Sequence, residues 1–150
     1  MNFPVGRIIK KGELPMDFGA LFRELSESSF NGYVIQSIKS WCVQEGVLFF
    51  REGKPVASVI ECIPASKLLK SNEALTEFTN QTKARGFFQA VELSRSQIDL
   101  ITAFDEKMLF VGEIALKDVT KLIPKEFTEK FSVGETRQDV FEAYGLGALK

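Results

Sequence analysis

The chain has 150 residues, 45% of them hydrophobic and 26% charged, and a formal net charge of -1. Those figures fit one globular domain large enough to bury a sizeable core. The near-neutral charge and the scattered Lys and Arg exclude the basic field or arm of a nucleic-acid-binding protein. No run of apolar residues is long enough to span a membrane, and residues 1–11 lack the apolar centre of a secretory leader. The expectation is a soluble, cytoplasmic chain.

Taken in order, residues 5–10, VGRIIK, fit a short strand, and Gly12 and Pro15 punctuate after it. Asp17 suits the cap of a helix, FGALFRELSES, whose Phe18, Leu21, Phe22 and Leu25 share one face. Ser28 and Ser29 end it, and Phe30-Asn31-Gly32 turns the chain. Residues 32–62 then read as a three-stranded meander with turns at Gln44-Glu45-Gly46 and Arg51-Glu52-Gly53-Lys54. In its middle strand Val47 and Phe49 point one way and Leu48 and Phe50 the other. A strand apolar on both sides needs a cover on both sides. Flanking helices supply one cover; further helices of the chain, or a partner subunit, supply the other.

From Pro64 the pattern turns helical, with Leu68, Leu75 and Phe78 on one side and Asn72 capping a second helix. Lys83, Arg85 and Gly86 mark its end. Phe87 to Leu93 reads as a fourth strand. Ser94 and Gln97 form a capping box for a helix carrying Ile98, Ile101, Phe104 and Met108 and running to about Leu109. Gly112 interrupts. Leu116, Val119 and Leu122 mark a short helix closed by Pro124. A last helix, capped by Thr136, offers Val140, Phe141 and Tyr144. The expected division is an α+β core over residues 1–112 and a helical extension or arm over 113–150, packed on the core.

Fourteen residues are Phe, against two Tyr and one Trp. The ordinary reading is a Phe-rich core; the alternative is a cavity for a lipid-like ligand, lined by Phe87, Phe88, Phe104 and Phe110. The two cysteines, Cys42 and Cys62, are twenty residues apart, which fits neither a metal clasp nor a Cys-x-x-Cys motif. Buried thiols are favoured over a disulfide.

The missing chemistry says most about function. The chain has no His, so the usual general base and metal ligand are absent, and a Ser–His or Cys–His nucleophile is excluded. No phosphate-binding Gly-rich loop is present. Two carboxylates, Glu61 and Glu92, would revive an enzyme only if one pocket united them. The expectation is a protein that is not an enzyme and uses no metal or cofactor.

The run NGYV, the hairpin EGVLFFREGKPVAS and the following helix with EAL resemble the PATAN domain of bacterial signalling and motility proteins. The matching positions are Gly32, Tyr33, Gly46, Leu48, Phe50, Gly53, Val56, Ala57, Ala74 and Leu75. The chain is more similar to an uncharacterised archaeal family with the same front half and a C-terminal segment like Thr136–Gly145. The resemblance implies a non-catalytic module that binds protein partners in signalling or assembly.

The expected fold is therefore α+β. An antiparallel sheet of four to five strands is built on the 32–62 meander and covered by helices, with a helical C-terminal third. The expected function is a protein–protein interaction module, possibly self-associating, with Trp41, Phe49, Phe50, Val140, Phe141 and Tyr144 as the candidate surface. Binding of a small apolar ligand is the alternative.

Overall fold

The computed structural model describes residues 3–40, 42–63 and 67–129. It is α+β. One wholly antiparallel sheet holds β1 (Arg7–Leu14), β2 (Gly32–Lys39), β3 (Val43–Arg51), β4 (Lys54–Ile63), β5 (Lys67–Lys70) and β6 (Gly86–Glu92) in the order β1-β6-β2-β3-β4-β5. Four helices join it: α1 (Phe18–Glu27), α2 (Ser71–Gln81), α3 (Arg95–Phe104) and α4 (Leu116–Leu122). A short 3-10 turn, Glu106–Met108, follows α3. No helix among the described residues is long and apolar enough to cross a membrane.

The first face of the sheet is closed. Val34, Gln36 and Ile38 of β2, Gln44, Leu48 and Phe50 of β3, and Ser58, Ile60 and Cys62 of β4 all lie buried there. Helix α1 lays Phe18, Leu21, Phe22 and Leu25 onto this face, each worth roughly 2 kcal/mol when removed from water. Asp17 caps it by accepting from the Ala20 N–H at 3.1 Å. Helix α2 adds Ala74, Leu75 and Phe78, and α4 adds Val119. The Phe rings meet edge-on: Phe18 with Phe78 at 5.4 Å and Phe22 with Phe50 at 5.7 Å. The capping box at Ser94 and Gln97 opens α3 on the opposite face.

Several expectations are corrected. The sheet has six strands, not four to five, because residues 67–70 form an edge strand where a helix was expected. Leu69 packs toward the core and Leu68 points away from it, the alternation of a strand. Pro64 lies outside the described residues. The first meander connection falls between Lys39, the end of β2, and Val43, the start of β3, and Gly46 sits inside β3. A Cβ there would run into the Gln81 side chain and stand 2.7 Å from Ile60 Cδ1, so glycine answers a packing need rather than a turn. The second turn is as expected: Glu52 and Gly53 both have positive φ, 51° and 80°, as a tight hairpin demands.

Helix α2 starts at Ser71 without a side-chain cap. Asn72 instead accepts from the Val111 N–H at 3.0 Å. The helix ends at Gln81, where Thr82 Oγ1 donates to the Thr79 carbonyl at 2.6 Å, so Gly86 opens β6 rather than closing a helix. Helix α3 stops at Phe104 rather than near Leu109, because the Asp105 carboxylate caps the 3-10 turn by accepting from the Lys107 N–H. Beyond residue 112, the described residues hold one helix, α4, followed by non-helical chain to Glu129. The helix expected around Val140, Phe141 and Tyr144 lies outside the described residues.

Cys42 and Cys62 form a disulfide, not two free thiols. Cys42 directly precedes β3 and Cys62 nearly ends β4. These strands are neighbours, and both side chains turn to the closed face. The bond closes a loop with a sequence separation of 20. In the chain-entropy account it stabilises by about 3 kcal/mol, so a Cys42→Ala/Cys62→Ala chain should unfold at lower denaturant by that amount.

Candidate functional site

The second face of the sheet is covered over half its length. Along β2, Tyr33 is buried, Ile35 and Ser37 are half-buried and Lys39 is exposed. Along β3, Phe49 and Val47 are buried, Glu45 is half-buried and Val43 is exposed. Ala57, Val59, Glu61 and Ile63 of β4 repeat the series, and so do Val91, Gln89 and Phe87 of β6. Ile98 and Ile101 of α3, with Met108, cover the buried end. Phe3 stacks there edge-on to Phe49, with centroids 5.0 Å apart. Beyond α3 no described helix covers the sheet. Phe87 of β6 is 65% exposed, and Val43, Ile63 and Leu68 are exposed farther across the same face on β3, β4 and β5.

A cleft of about 570 Å³ marks the border between covered and bare halves. Phe3, Val59, Leu68, Leu100, Ile101, Phe104 and Met108 line it. Leu100 and Phe104, at 58% and 84% exposure, form its outer wall. Polar groups stand at the rim: Glu61, and Lys70 bonded to Asp105 at 2.6 Å. That ion pair has a third of each side chain exposed, so it is worth about 1 kcal/mol at most and serves to fix the rim.

The expected surface residues separate into two groups. Phe49 and Phe50 are wholly buried, on opposite faces of β3, so they present nothing to a partner. The chain covers both from within: Phe50 by α1, and Phe49 by α3 and Phe3. Trp41, Val140, Phe141 and Tyr144 lie outside the described residues. The four Phe expected to line one cavity are dispersed. Phe88 is in the closed core, Phe87 is on the bare face, Phe104 is on the cleft wall and Phe110 packs near α4. Glu61 and Glu92 are three strands apart and at opposite ends of the sheet, and Glu92 pairs with Arg7 at 2.9 Å. No pocket unites them. No group of three or more His, Cys, Asp or Glu among the described residues is placed to hold a metal.

The residues that do form the cleft share no sequence signature: Val59, Ile101 and Met108 are buried, and Leu68, Leu100 and Phe104 are apolar side chains at exposed positions. Leu100 and Phe104 are spaced four apart on α3 but lie outside its Ile98–Ile101 stripe. That second apolar stripe was the available signal.

Tyr33 sits under the N-terminal wall of the cleft, its hydroxyl donating to the Pro4 carbonyl at 3.3 Å. Burial raises its phenol above the ordinary value of 10.0. The folded protein holds that proton more tightly than the unfolded chain does. This contribution is therefore complete below pH 10 and is lost as pH rises from there through the folded value. In a Tyr144→Phe chain, an ultraviolet absorbance titration should place the Tyr33 midpoint above 10.0 when folded and return it to 10.0 in denaturant.

Residues 1–105, which carry all six strands and the α3 wall of the cleft, match a family described as an uncharacterized protein conserved in archaea (DUF2226). The match does not extend to the C-terminal segment 136–145. No curated protein and no solved structure matches the chain. The match spans more than half of the 150 residues, and the chain belongs to this archaeal family.

Proposed function

We propose that the protein is a non-catalytic interaction module whose partner docks across the cleft and the bare half of the second sheet face. One observation carries this reading: burial falls from complete to slight along four adjacent strands, although the bare end keeps Phe87, Val43, Ile63 and Leu68. These apolar side chains stand among Ser37, Glu45 and Glu61 on the same face, and a mixed surface of this kind is what a docking partner of a non-obligate complex removes from water. The likeness of positions between Gly32 and Leu75 to the PATAN domain supports the same role, in signalling or assembly. We place this role in the cytoplasm. The Cys42–Cys62 bond is compatible with that setting, since intracellular proteins of hyperthermophilic archaea carry disulfides.

Self-association is the form tested first. Light scattering across a concentration series should give a mass rising from 16.8 kDa toward that of a dimer. Phe87→Asp should hold the mass at the monomer value. Its side chain is mostly exposed, so the change should cost under about 1 kcal/mol of stability. A wild-type mass fixed at 16.8 kDa at all concentrations removes self-association.

The cleft also favours a second reading, binding of a small apolar ligand, because its volume and its lining of Phe3, Leu100, Ile101, Phe104 and Met108 suit an acyl chain. A solvatochromic fatty-acid probe should then give a saturable signal that Phe104→Asp abolishes. A linear, unsaturable titration rejects it.

A further inference from the structure

A second surface lies on the other side of the molecule, on α2, and does not depend on the reading above. Helix α2 packs its apolar side on the sheet and turns a polar pair, Glu77 and Asn80, toward the chain that follows α4. Both side chains are only 2% exposed. Asn80 Nδ2 donates to the Thr128 carbonyl at 2.6 Å, and the Thr128 N–H donates to Asn80 Oδ1 at 3.0 Å. A carboxamide carries the same donor–acceptor pair as a peptide unit. The two bonds therefore close as a hydrogen-bonded pair closes between antiparallel strands.

The orientation of the amide is fixed. Its second Nδ2 hydrogen goes to the Glu77 carboxylate, at 3.2 and 3.4 Å from the two oxygens. Reversing the amide would face Oδ1 toward that carboxylate and aim the amino group at the Thr128 N–H. The adjacent Thr79 Oγ1 donates to the Thr76 carbonyl at 2.7 Å and lies 3.3 Å from the Leu122 carbonyl. Asn80 holds the segment through the Thr128 backbone alone, and Thr128 itself is exposed. Selectivity comes from the preceding residue, since Phe127 packs against the closed core beside Ile123.

We propose that the Glu77–Asn80 clasp is a binding site for an extended peptide with an aromatic residue just before the residue paired to Asn80. In this structure the chain's own Phe127–Thr128 fills it. Glu77 and Asn80 belong to the part that matches the archaeal family, and the segment they hold lies beyond it. A side-chain amide that reads backbone accepts any segment of that shape, so a partner's peptide competes with the tethered one. Tethering gives the internal segment an effective concentration on the order of millimolar. A free peptide is therefore resisted until that segment is released.

The test uses the full chain and a fluorescein-labelled peptide of residues 121–129, KLIPKEFTE, read by anisotropy. Thr128→Pro in the chain removes the N–H given to Asn80 and disturbs no buried side chain. The peptide should bind this variant saturably and at least about tenfold more tightly than wild type. Adding Asn80→Ala to the variant, or Phe127→Ala to the peptide, should abolish the saturable signal. Equal binding with and without Asn80, or no saturable binding to the Thr128→Pro chain, overturns the proposal. Hydrogen exchange on the wild type gives an independent check. The Thr128 amide should exchange about tenfold more slowly than in Asn80→Ala. Equal rates reject the clasp even if the Thr128→Pro chain fails to fold.

Discussion

Strand β3 is apolar on both sides, and the rest of the structure follows from that constraint. Leu48 and Phe50 need one cover and Val47 and Phe49 another, so the sheet cannot rest on a single layer of helices. Helices α1, α2 and α4 solve the first side completely. A ten-residue helix, a 3-10 turn and the ring of Phe3 solve the second only where β3 and its neighbours are most apolar. A helix of that length reaches about 15 Å and cannot shield the whole length of nine- and ten-residue strands, about 30 Å long. The half that the described helices leave uncovered is thus the geometric remainder of a short cover on a long sheet.

The closed face contains a polar seam. Gln36 Nε2 donates to the Phe78 carbonyl at 3.2 Å and to Gln81 Oε1 at 3.3 Å, and Gln81 Nε2 donates to Gln44 Oε1 at 3.1 Å. All three glutamines are wholly buried. Sliding α2 by one turn would break these bonds together and leave amides unpaired in the core, where each costs about 1–3 kcal/mol. Apolar packing alone would tolerate such a slide. The seam therefore sets the register of α2, and with it the position from which Glu77 and Asn80 meet the later chain.

How much of this the sequence disclosed depends on the range of the forces involved. Local signals were readable: the Asp17 cap, the Phe18–Leu25 stripe, the Ser94–Gln97 capping box and the 51–54 turn are each decided within a few residues. The two-sided burial of β3 was readable too, since the strand carries its own pattern. Positions decided by distant contacts were misassigned. Gly46 resembles a turn glycine, yet Gln81 and Ile60 dictate its role from elsewhere in the chain. Leu68 and Leu69 resemble helix, yet pairing with β4 makes them strand. The cysteine pairing depended on which strands adjoin. The cleft depended on where α3 ends relative to the sheet, a quantity that no window of residues encodes.

The outermost strand, β1, bears on what assemblies are open to this protein. Its outer edge, which pairs with no described strand, carries Lys10 and Lys11, both exposed, and its register shifts between Ile8 and Lys10. Charge and irregularity on an edge discourage another strand from adding to it. Growth by edge-to-edge addition, which has no natural end and leads to fibres, is thereby disfavoured. A face that two molecules cover for each other is used up once they meet. Assembly through the sheet's flank rather than its rim stops at a fixed number of copies.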